Sequence, residues 1–169
     1  MHTRRRPRFG AVLVALCAAC SVTCSSRQHP RVPPAGCAPA ANERLDPEST
    51  IHLFPGAREP SYLTDPPTSG PHQLGPPFVG LVTEPIPRPR QVAMLESGFV
   101  IIQYRGVPAS QLQTLAGPLV TVAPPVGVLP SPVVATAWTW KLECGSVTPA
   151  AVAALRAFIT AHQGVGFKG

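Results

Sequence analysis

Between Pro30 and Pro89 the chain carries 15 prolines in 60 residues. Each proline holds φ at about −65° and lacks an N–H donor, and each pushes the residue before it toward extended backbone. Such a density excludes long helices and central strands, so this half is expected to wrap a core built elsewhere. At most a short strand fits, at Ile51-His52-Leu53-Phe54. The wrapping layer is most constrained at Thr64-Asp65-Pro66-Pro67-Thr68-Ser69-Gly70-Pro71-His72. These residues are expected to form a stiff, pre-shaped loop ending at His72. A stiff loop presents a side chain at low entropic cost; the same stiffness suits a loop that only covers a sheet edge, with His72 hydrogen-bonded locally.

The texture changes at Gln91. Phe99 to Tyr104 is a continuous β-branched and aromatic run and reads as a buried strand. Ala109 to Ala116 reads as a short helix with Leu112 and Leu115 inward and Gly117 as its stop. Leu119 to Ala123 reads as a second strand. Val133 to Leu142 reads as a third, with Val134, Thr136, Trp138 and Trp140 on one face as core, and the small Val133, Ala135, Ala137 and Thr139 on the other, suited to packing against a helix. Thr148 is a good N-cap and Pro149 a good first helical residue. Val152, Leu155, Phe158 and Ile159 form one apolar stripe, and Gly164 is a natural stop. The expected fold is α+β: a small antiparallel sheet of three to four strands, covered by a C-terminal helix and a proline-rich wrapping segment.

The formal charge of +6 invites a nucleic-acid reading, but its source argues against one. Arg4, Arg5, Arg6 and Arg8 precede a short apolar run, Gly10 to Ala19, in the order of a secretory signal. From residue 20 onward ten Lys/Arg face eight Asp/Glu, a balance of +2, and no basic cluster with interleaved aromatics remains. Cys20 follows Ala18-Ala19, a small-residue context suited to lipidation. The expected organisation is a signal at 1–19, a flexible tether at 20–50 and an α+β domain at 51–169. The protein is expected to be exported and held at the membrane by a lipid on Cys20, the alternative being secretion. If Cys20 is lipidated, then Cys24, Cys37 and Cys144 remain for an oxidising compartment, and three pairings are open. A Cys37–Cys144 disulfide would flank the domain and stabilise it by about 4–5 kcal/mol in the chain-entropy model.

The stretch Thr64 to His72 resembles the signature of a bacterial family catalogued as domain of unknown function 3105. In that family a second motif follows, of the form Val-His-x-Leu-Glu-His-Gly. Here it reads Val92-Ala93-Met94-Leu95-Glu96-Ser97-Gly98, with Ala93 and Ser97 where the family has histidines. A third similarity lies in Ala135-Thr136-Ala137-Trp138 and the run ending Gly164-Val165-Gly166. The resemblance spans about residues 60 to 167 and brings no established activity with it.

Imidazole and carboxylate suit zinc or copper, and His72 and Glu96 are the candidate ligands, with His52 and His162 as further donors. The competing expectation is that His72 and Glu96 pair with each other and hold the loop on the sheet. Ser69 and Ser97 each neighbour a glycine, but neither sits in a nucleophile-elbow pattern. Cys144 has no CxxC partner, and no phosphate-cradling loop or paired-carboxylate cluster is present. The leading expectation is therefore a non-catalytic, cofactor-free binding domain of the cell envelope, with an unknown protein or ligand as partner. The alternative is a zinc- or copper-binding envelope protein using His72 and Glu96. A third reading is a relative that keeps the scaffold after losing the family histidines.

Overall fold

A computed structural model describes residues 33 and 36–167. The expected signal, the Cys20 lipidation site and Cys24 lie outside the described residues. One six-stranded sheet organises the fold. Its strands are β1 (Ala41–Asn42), β2 (Gly80–Leu81), β3 (Val100–Tyr104), β4 (Val120–Ala123), β5 (Val133–Ala137) and β6 (Trp140–Cys144), in the order β1-β6-β5-β3-β4-β2. The helices are α1 (Arg88–Glu96) and α2 (Pro149–His162).

The central strands were legible, because Val, Ile and Thr pack well on a half- or fully buried pleat. Alternation along β3 sends Val100 and Ile102 into one core with Val120, Val122 and the α2 residues Leu155 and Phe158. Ile101 enters a second core on the other face, with Val92, Met94 and Leu95 of α1. The small face of β5, Val133, Ala135 and Ala137, packs under α2 as its residue sizes suggest. Thr148 caps α2, its Oγ accepting from the Ala151 N–H at 3.2 Å.

Several expectations change. The sheet has six strands rather than three or four, because β1 and β2 are two-residue edge strands inside proline-rich sequence. It is mixed rather than antiparallel: β4 runs parallel to both β3 and β2. The 15 residues between β3 and β4 are long enough for the crossover that parallel pairing requires. They form two 3-10 turns, Ala109–Gln111 and Gln113–Leu115, instead of one helix, and bury Leu112 and Leu115. Val133 to Leu142 is not one strand but the β5–β6 hairpin, turning at Trp138-Thr139. Thr139 takes a φ of 59°, where hairpin turns favour Asn-Gly, so the turn carries no sequence signal. Trp138 and Trp140 therefore do not share a face: Trp138 joins the α1 core and Trp140 borders the α2 core.

The expected tether at 20–50 is structured from Gly36 onward, and its earlier part, apart from Pro33, lies outside the described residues. Cys37 is bonded to Cys144, β1 pairs with β6, and Asp46 and Ser49 are buried. The helix α1 was hidden inside the wrapping layer. It starts at Arg88-Pro89, where proline is tolerated in the first turn, and the unbroken buried run Gln91 to Leu95 erases the polar face that would have marked it. Gln91 is satisfied there by donating to Ile86 O at 2.7 Å and accepting from Gln103 of β3 at 2.7 Å. No helix among the described residues is long and apolar enough to cross a membrane.

Two outcomes are expected. Leu155, fully buried between α2 and the sheet, should cost about 2–5 kcal/mol when replaced by alanine, read from urea unfolding. Lys141 is buried on β6, and that burial pushes its ammonium below the ordinary value of 10.5, against the opposing pull of Glu43, Glu143 and Asp65. Between the lowered value and 10.5 the unfolded chain binds more protons, so this lysine makes stability rise with pH across that window. Lys141→Met should flatten that rise in urea midpoints measured as a function of pH.

Candidate functional site

The loop that ends at His72 is buried from Pro66 to His72, so its backbone polar groups need partners inside the protein. A turn at residues 46–49 supplies several. Ser69 Oγ accepts from Asp46 N–H at 2.9 Å, and Ser49 Oγ accepts from Gly70 N–H at 3.0 Å while donating to Asp46 O at 2.6 Å. The β5–β6 turn adds Thr139 N–H to Thr68 O at 3.0 Å. Tyr62 donates its hydroxyl to Pro71 O at 3.0 Å, and burial pushes its phenol well above the usual value. Gly70 has a φ of +123°, and a Cβ there would lie 3.0 Å from the Tyr62 ring; only glycine fits this turn. The Asp65–Pro66 peptide is cis.

The loop is fastened to α1 at three places. Arg88 grips Asp65 with two hydrogen bonds of 2.9 Å and meets Glu59 at 3.2 Å. Those hydrogen bonds, Asp65 first, hold the guanidinium in its charged form. Gln73 N–H donates to Pro89 O at 3.1 Å. At the other end of the helix, His72 meets Glu96.

His72 is fully buried, and Glu96 is 22% exposed. The His72 Nδ1 lies 3.1 Å from Gly70 O. A carbonyl only accepts, so Nδ1 carries a proton, and the ring so oriented turns Nε2 toward Glu96. That Nε2 is 2.8 Å from Glu96 Oε2. Close as the two atoms are, Nε2 has no hydrogen-bond partner among the described residues. Two electron-rich atoms at this separation need a proton or a cation between them.

His52 completes the group. Its segment pairs with the loop in a parallel bridge, through His72 N–H to Ile51 O at 3.0 Å and Leu53 N–H to His72 O at 2.7 Å. This sets the His52 and His72 rings edge to face, 4.7 Å apart. One ligand atom from each of His52, His72 and Glu96 lies within 4.8 Å of the others. A tetrahedral zinc with bonds of about 2.0–2.2 Å needs its ligand atoms about 3.4 Å apart. His72 Nε2 and Glu96 Oε2, at 2.8 Å, are closer than that, so binding an ion would require the partly exposed Glu96 carboxylate to move outward and exposed His52 to adjust toward it.

The structure brings together His72 and Glu96, the candidate ligands named from the sequence, with His52, which was named only as a further donor. Its place depends on the bridge between two proline-rich segments, which no local pattern announces. His162 is elsewhere: it ends α2, packed against the Trp140 and Phe158 rings, where burial pushes its imidazole below the ordinary value. Ser97 donates to Ala93 O at 3.0 Å, and Ser69 is used up in the loop clamp. By helical spacing Ala93, Glu96 and Ser97 share one face of α1 and its cap, so two short side chains flank the carboxylate.

Comparison with known proteins adds one finding. No curated protein and no solved structure matches the chain. A family model described as protein of unknown function (DUF3105) matches residues 57–166. With that match covering most of the chain, and carrying both the loop of His72 and the helix of Glu96, the protein belongs to the DUF3105 family.

Proposed function

We propose that this protein is an exported, lipid-anchored domain of the cell envelope that holds one transition-metal ion between His52, His72 and Glu96. The observation that carries the metal reading is the buried His72 Nε2: its ring orientation is fixed by Gly70 O, and the nitrogen lies 2.8 Å from a carboxylate oxygen without a hydrogen bond to it. An ion at that point would join all three groups. Two imidazoles and one carboxylate suit zinc, with copper as the close competitor. Three protein ligands leave a coordination position on the side of exposed His52. The export and anchor reading is supported by the charged and apolar order of residues 1–19 and by the setting of Cys20.

A second reading, a partner-binding domain without metal, is favoured by the residues that follow the two histidines on the paired segments. Phe54 is 84% exposed and Leu74 58%. Apolar side chains exposed this far suit a protein contact.

Metal content separates the two. The full chain, purified without chelator or histidine tag, should carry near-stoichiometric zinc or copper by elemental mass spectrometry. His72→Ala should abolish it, and His52→Ala should weaken binding by more than the about 10- to 100-fold that losing a ligand-orienting group costs. Wild-type protein that is metal-free and gains no thermal stability on adding zinc or copper would sink the metal reading and leave the partner-binding one.

A further inference from the structure

Glu96 is the last residue of α1, a poor place to hold a ligand rigidly, because the final turn of a helix lacks intrahelical partners for its carbonyls. The chain first closes that turn locally. Gly98 N–H donates to Leu95 O at 2.9 Å and Phe99 N–H to Met94 O at 3.0 Å, the paired bonds of a Schellman cap, with Gly98 at a φ of +85°. This cap leaves Glu96 O unserved. The segment that follows α2 supplies the missing donor: Phe167 N–H reaches Glu96 O at 3.1 Å, and Gly164 N–H reaches Gly98 O at 2.8 Å.

The fit permits no side chain. A Cβ on Gly166 would lie 1.9 Å from Glu96 O and 3.0 Å from Gly98 N. A Cβ on Gly98 would lie 2.9 Å from the Gly164 Cα. Phe167 then pins the segment by setting its ring edge-on to Trp138, 5.8 Å away, on the core that α1 covers.

We infer that Gly166 and Phe167 are positioning residues for the Glu96 carboxylate, so that docking of segment 164–167 and metal binding at His52, His72 and Glu96 reinforce each other. The inference rests on the metal reading for its second half only. Its physical content is reciprocal: a segment that fixes the last turn of α1 raises metal affinity, and a bound ion raises the stability of the docked segment by the same factor.

The test uses the full chain and two readouts. The first is zinc affinity, by competition with a chromophoric chelator. Gly166→Ala should weaken it by about 10- to 100-fold, the range for groups that orient metal ligands. Phe167→Ala, which leaves the backbone contact possible, should give a smaller loss, and Phe167→Tyr should restore affinity. Leu155→Ala, on the opposite face of the sheet, should lower thermal stability while leaving zinc affinity unchanged. The second readout needs no metal: the His72 Hε1 resonance of the apo protein should move in Gly166→Ala and Phe167→Ala in the same direction as in Glu96→Gln. If zinc binds and both variants bind it as tightly as wild type, the positioning role is overturned while the metal reading stands. If wild type takes up no zinc, the metal reading fails and the resonance alone decides: an unmoved His72 signal in both variants overturns the inference.

Discussion

A proline-rich loop that must be buried has to find hydrogen-bond partners away from any strand ladder, and that requirement governs how this molecule is put together. The sheet cannot supply the partners, because prolines at 66, 67 and 71 interrupt any regular pairing. They come instead from Ser49, Tyr62 and the backbone of Thr139. This explains why residues ahead of the core strands, composed like a linker, are folded. The turn at 46–49 exists to satisfy the loop, and the loop in turn delivers His72 to a position fixed by its own Gly70 carbonyl.

Both sides of the candidate site lean on α1. Arg88 at its start holds Asp65, and Glu96 at its end meets His72. The helix itself is held to β3 by the Gln91–Gln103 pair, a buried polar contact that fixes its placement on the sheet in a way apolar packing alone does not. Burial on one side and exposure on the other then divide the labour: His72 is rigid and shielded, while His52 and Glu96 retain access to water.

What the sequence revealed followed the scale on which each signal is written. Val100 to Tyr104, Val120 to Ala123 and the Thr148-Pro149 start of α2 are local patterns, and local patterns survive folding. The stiff loop, His72 and Glu96 were legible because a motif marks them. The helix α1 was not, since Gln91 to Leu95 is buried all round and shows no periodicity. The β5–β6 turn was missed because Thr139 adopts a left-handed backbone that threonine rarely signals, held there by Thr68 and Glu43. His52 was underweighted because its place beside His72 depends on contact with a residue 20 positions away. Gly164 read as a stop, and Gly98 and Gly166 only as parts of motifs; all three meet where the end of α1 touches the segment after α2.

The bond between Cys37 and Cys144 changes how the fold would bear a load. The chain enters through β1, a two-residue edge strand joined to β6 by few hydrogen bonds, which a pull could peel away one at a time. Because Cys37 precedes β1 and is covalently tied to the end of β6, tension arriving from residues ahead of Gly36 passes directly to the last residue of a strand paired on both sides. The weak edge is bypassed: a pull between residues ahead of Gly36 and those after Cys144 runs through the disulfide into Gly145 and on to α2, and residues 38–143 lie outside its path.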